Sequence, residues 1–171
     1  MDLGFEVVSL DPADPPAEGE VAPDFTRPLV NDEFWEDVSL SELTDEGPVL
    51  LVFHPMAGSF PATYIWQELC ERDLGDLLTV VGLTASDPYA QKRLIEARDM
   101  PYRLFADPAN GVAREWGIEH DLDGMTGISE PRIATFLLDG ERVVRDAWVA
   151  EEWPEFPPYD DVEAAVRDLV D

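Results

Sequence analysis

Few side chains in this 171-residue sequence can do covalent or redox chemistry. Cys70 is the single cysteine, so neither a disulfide nor a cysteine-based metal site can form within one chain. His54 and His120 are the only histidines, and they offer no two-histidine ligand spacing. With 38 acidic residues, a carboxylate near either ring carries no information about metal binding, and no metal or cofactor is expected. The stretch DLDGMTG at 121–127 has a loose likeness to a calcium loop, but it lacks the alternating ligands and the closing glutamate. Ser59 has no triad around it that sequence reveals, and there is no G-x-S-x-G, P-loop or dinucleotide fingerprint. A thiol is what remains. Ile65, Trp66, Leu69, Cys70 and Leu74 recur at spacings that make one apolar helical stripe. A cysteine on such a stripe is more often a small buried hydrophobe than a nucleophile.

The elements around these residues follow from apolar patterning. PVLLVFH at 48–54 and LLTVVGLTA at 77–85 are near-continuous apolar runs, as buried central strands require. A helix is predicted between them at 61–74. Ser86-Asp87-Pro88 is a helix start, a capping side chain before a first-turn proline, and the helix should run to about Arg98. YRLFAD at 102–107 reads as a short strand, and NGVAREWGI at 110–118 as a short helix closed by Gly117. IATFLLD at 133–139 and ERVVRDAWVA at 141–150 form a hairpin about a tight turn at Gly140. The C-terminal helix places Val162, Ala165, Val166 and Leu169 on one face, and Trp153, Phe156 and Tyr159 are expected to pin the proline-rich stretch before it. Residues 1–20 read as an edge strand at 4–10 followed by an acidic, Pro-rich linker, and 21–171 as one α/β domain. The order implies a mixed central sheet with helices on both faces.

Four segments in the same order resemble the peroxiredoxins, also called the alkyl hydroperoxide reductase or thiol-specific antioxidant family. They are GEVAPDFTRPLVN at 19–31, PVLLVFHPMAGSFPA at 48–62, LFADPANGVAREWGI at 104–118 and PRIATFLLDGERVV at 131–144. The resemblance implies a thioredoxin-like fold and a thiol peroxidase site built on Pro-x-x-x-Thr/Ser-x-x-Cys with a remote arginine. In this sequence Pro55 fills the first place, Ser59 the hydroxyl place and Arg132 the arginine, while the peroxidatic cysteine is replaced by Ala62. His54 stands where an aromatic often precedes the family proline, and is expected to line the old pocket.

An alanine methyl cannot attack an O–O bond, so the usual cycle cannot run through position 62. The helix start and Arg132 are expected to persist as an electrostatic cradle for a small polar or anionic ligand. Cys70 lies eight residues past Ala62, roughly 12 Å along a helix axis and rotated away from it. Three readings stay open: a degenerate member with a binding or scaffolding role, an active peroxide reductase using Cys70 or a partner's thiol, and an engineered Cys-to-Ala form. Ile65 stands where many family members carry glutamate, and Tyr64 and Trp66 are bulky where small or polar residues are usual, which favours natural divergence. The aromatics Phe60, Tyr64, Trp66 and Trp116 are expected to divide between the core and a face for a second copy, since family members commonly form homodimers.

Eleven basic residues stand against the 38 acidic ones, for a formal net charge of −27, and Lys92 is the only lysine. The acids are spread along the whole chain. Such a chain repels itself in dilute buffer, and the repulsion is screened only when the Debye length falls to about 3 Å near 1 M salt. The expected setting is a salt-rich cytoplasm; the start shows no basic region followed by an apolar run. No basic face exists to neutralise phosphates, which argues against nucleic-acid partners and anionic membranes.

Overall fold

A computed structural model describes residues 7–121 and 126–171. In chain order the elements are β1 (Val8–Ser9), β2 (Thr26–Val30), β3 (Trp35–Ser39), α1 (Leu40–Thr44), β4 (Val49–Phe53), α2 (Phe60–Glu71), β5 (Thr79–Thr84) and α3 (Pro88–Arg98). They continue with β6 (Arg103–Ala106), α4 (Gly111–Glu115), β7 (Glu119–His120), β8 (Glu130–Pro131), β9 (Ala134–Leu138), β10 (Val144–Val149), β11 (Glu152–Trp153) and α5 (Tyr159–Val170). The main sheet has seven strands in the order β10-β9-β4-β5-β6-β2-β3. Its centre, β4-β5-β6, is parallel, and antiparallel hairpins flank it on both sides.

Strand alternation divides the core in two. Leu50 and Val52 point to a layer with Ile65, Trp66 and Leu69 of α2, Leu94 and Ile95 of α3, and Val162 and Val166 of α5. Val49, Leu51 and Phe53 point the other way, against Leu40 and Leu43 of α1 and Val112, Ala113 and Trp116 near α4. Both faces of β4 are therefore covered, which is why its sequence is apolar without alternation. Trp66 and Trp116, both fully buried, are the largest side chains of the two layers. Trp153, Phe156 and Tyr159 pack against the first layer.

Several boundaries differ from the sequence reading. The expected edge strand at 4–10 is, among the described residues, only Val8–Ser9, and it pairs with Glu152–Trp153 outside the main sheet. The helix expected at 61–74 stops at Glu71, because Asp73 turns left-handed and opens a 3₁₀ turn at Leu74–Asp76. The hairpin loop spans 139–143, longer than a tight turn at Gly140. Leu138 pairs with Val144, the left-handed residue is Arg142 (φ 65°), and the Asp139 carboxylate accepts from the Glu141 and Val143 amides. The β2–β3 hairpin and α1 have no counterpart in the sequence reading. The calcium-loop likeness at 121–127 falls largely on residues 122–125, outside the described residues. Among the described residues, no helix is long and apolar enough to cross a membrane.

The segment after β1 lies along the domain. Leu10, Asp14 and Gly19 donate their amides to Glu151, Gly117 and Val144 carbonyls. At Gly117 (φ 68°) the backbone of Asp14 passes so close that an added Cβ would collide with its carbonyl oxygen, so only glycine fits there.

Candidate functional site

The loop between β4 and α2 carries Pro55, Ser59 and Ala62 into one place. Ser59 is the N-cap of α2: its backbone is extended, and its Oγ accepts from the Ala62 amide at 3.4 Å. Pro61 occupies the first turn, where its fixed φ suits the helix and its missing N–H costs nothing. Ala62 follows at the third helical position with 0% exposure, and Pro55 is buried beside the end of β4.

Two side chains from elsewhere hold this loop. The buried Glu130 carboxylate of β8 accepts from the Met56 amide at 3.2 Å. Ser86, just past β5, accepts from the Ala57 amide at 2.8 Å. Sequence reasoning assigned neither residue to this site. One acid among 38 carries no signal, and Ser86 had been read only as part of a helix start.

The chemistry left at this helix start is meagre. Pro61 has no N–H, and the Ala62 N–H is taken by Ser59 Oγ. Two of the first-turn donors that would meet an anion are thus removed or occupied, which weakens the expected cradle. His54 does not line an open pocket. Its ring is fully buried, edge-on to Trp66 at 5.5 Å, with Nδ1 2.8 Å from the Pro55 carbonyl oxygen. Burial lowers its pKa from 6.5 to about 4, so it is neutral near pH 7.

Arg132 stands between β8 and β9. It is 5% exposed, its amide donates to the Ile118 carbonyl at 2.7 Å, and its side chain lines two cavities. Their walls come from the segment after β1, from β7 and Asp121, from Ser129, and from β10 and the two residues beyond it, and neither lining includes Pro55, Ser59 or Ala62. Burial pushes the guanidinium below its ordinary pKa, and Asp11 opposes that shift. Cys70 lies near the far end of α2, partly buried against the first core layer. Burial raises its pKa above the usual thiol value of 9.0; Arg98 pulls it down, while Asp73 and Glu71 add to the rise. The result is a protonated, weakly nucleophilic thiol.

Residues 19–147 match the AhpC/TSA family. The chain belongs to that family. Among its curated relatives, the chloroplastic peroxiredoxin Q of Gentiana triflora is 28% identical over 142 residues, covering 81% of this chain and 62% of its own length. The chloroplastic peroxiredoxin Q of Sedum lineare is 27% identical over 141 residues, covering 81% of this chain and 72% of its own. The chain thus spans less than two thirds of the Gentiana relative. Among solved structures, the peroxidoxin BcpB of Mycobacterium tuberculosis superposes with a TM-score of 0.75 at 25% identity, covering 90% of this chain and 98% of that one. AhpC of Enterococcus faecalis gives 0.77 at 17% identity, covering 90% and 92%, a likeness of fold alone. The seven-stranded mixed sheet of this AhpC/TSA-family chain is therefore the thioredoxin-like fold of the peroxiredoxins.

Proposed function

We propose that this AhpC/TSA-family protein keeps the peroxiredoxin fold without the thiol peroxidase reaction, and serves in binding or scaffolding. The observation that carries the reading is Ala62: a fully buried methyl stands at the head of the helix after the central strand. Attack on a peroxide needs a thiolate that bonds to one oxygen as the O–O bond breaks, releasing the other oxygen as water or an alcohol and leaving a sulfenic acid on the protein. Position 62 has no sulfur. The one sulfur of the chain, on Cys70, has a raised pKa and lies eight residues along the same helix. Natural divergence fits the surroundings, since Ile65 and Trp66 are integral to the buried core.

Peroxide consumption by the purified protein tests the reading. In concentrated KCl with a dithiol reductant, turnover of hydrogen peroxide and an organic hydroperoxide should match a protein-free control. Alkylation of Cys70 by iodoacetamide should stay slow until the pH passes the ordinary thiol value of 9.0. Turnover that disappears in Cys70→Ser would establish the alternative, a peroxide reductase working through Cys70.

A further inference from the structure

Arg132 is out of keeping with the other arginines of this acidic chain. Arg27, Arg72, Arg114, Arg145 and Arg167 each meet a carboxylate at 2.8–3.3 Å, and all five are more exposed. Arg132 is 5% exposed, and its buried Nε has no hydrogen-bond partner among the described residues. A guanidinium stays charged in a protein, so a buried Nε without a partner is a donor left for a ligand. Its side chain faces two cavities of about 430 and 640 Å³ that share Leu10, Asp11 and Arg132, a size suited to small molecules.

The walls define what fits. Ser9 and Ser129 bring hydroxyls, and Ser129 Oγ already accepts from Asn110 Nδ2 at 2.9 Å, which leaves its own proton to donate. Asp11, Glu119 and Asp121 bring three carboxylates to the same cavity. A dianion would be repelled by them, and a simple cation would be repelled by Arg132. We propose that Arg132, with Ser9 and Ser129, forms a site for a small zwitterion of the amino-acid type, its carboxylate on the guanidinium and its ammonium toward the acidic wall. The planar fork of arginine matches a carboxylate in two parallel bonds. The site gives a ligand class to the binding role proposed above and rests on that reading for its significance. Ala62 is not among the residues lining its cavities.

Isothermal titration calorimetry of the whole protein in KCl at fixed ionic strength tests it, with L-alanine, acetate and methylammonium as probes. L-alanine should bind saturably, acetate several-fold more weakly, and methylammonium not at all. Arg132→Gln should weaken L-alanine at least about tenfold. Asp11→Asn lies in the surface segment and provides a second variant should Arg132→Gln not fold: it should weaken L-alanine and leave acetate unweakened. No saturable binding by the folded wild type, undiminished binding in Arg132→Gln, or acetate binding as tightly as L-alanine overturns the proposal. Peroxide turnover plays no part in these readouts, so an active peroxidase would sink the earlier reading and leave this one standing.

Discussion

Replacing His54 with asparagine should flatten the acid side of the stability profile. The imidazole is sealed between Trp66 and the bare Cα of Gly82, where an added Cβ would stand 3.1 Å from Nε2. Nδ1 is 2.8 Å from the Pro55 carbonyl oxygen, and Nε2 has no hydrogen-bond partner among the described residues. Burial therefore opposes protonation, and the folded pKa falls from 6.5 to about 4. The unfolded chain takes up its proton near 6.5, the folded chain only near 4. Stability from this group is complete above the unfolded value and is lost as the pH falls through the window between the two. At pH 5 the loss relative to pH 7 is about 2 kcal/mol, approaching about 3 kcal/mol below the folded value. Asparagine can still donate to Pro55 and does not titrate. Denaturant unfolding of both proteins at several pH values in concentrated KCl gives two curves, in which the carboxylate contribution is common and cancels. The wild-type curve should drop about 2 kcal/mol further between pH 7 and pH 5. Parallel curves would refute the reasoning, because they would mean that the imidazole is hydrated or paired in the native protein.

Gly82→Ala should destabilise by about 1–3 kcal/mol, since a Cβ at the middle of β5 would collide with Trp66 and lie 2.6 Å from Leu104 Cδ2; a denaturation midpoint unchanged from wild type would contradict this. The melting temperature should rise steeply with KCl, because the repulsion of a −27 chain is screened as the Debye length shrinks from about 10 Å at 0.1 M to about 3 Å at 1 M. Scanning calorimetry across that range checks it, and a flat profile would remove the case for a salt-rich setting.

What could be read from sequence was what is local or fully buried. β4 and β5 stand out because both faces are covered, and α3 because Asp87 caps it, its carboxylate accepting from the Ala90 amide at 2.8 Å. Pro55, Ser59 and Ala62 were legible together because one strand, one loop and one helix turn hold them. The β2–β3 hairpin was not legible, since its acidic edge strand carries two exposed residues among five and no apolar run. α1 is a single turn, though Ser39 and Glu42 spell a capping box that marks it. The surroundings of Arg132 were out of reach because they come from segments more than a hundred residues apart in sequence, and only tertiary packing brings the segment after β1 to the cavities beside Arg132. Glu130 and Ser86 were out of reach too, because the amides they hold lie 74 and 29 residues away in sequence.

The short ladder between β1 and β11 ties the chain's first described strand to the approach of its last helix. Because Leu10 then hydrogen-bonds Glu151 and Ala150 hydrogen-bonds Ile133, a pull on the amino-terminal arm is passed to the base of α5 and the start of β9 without crossing the central strands. Whatever grips that arm would therefore tug directly on the walls around Arg132, making the segment after β1 a handle on a secluded positive charge.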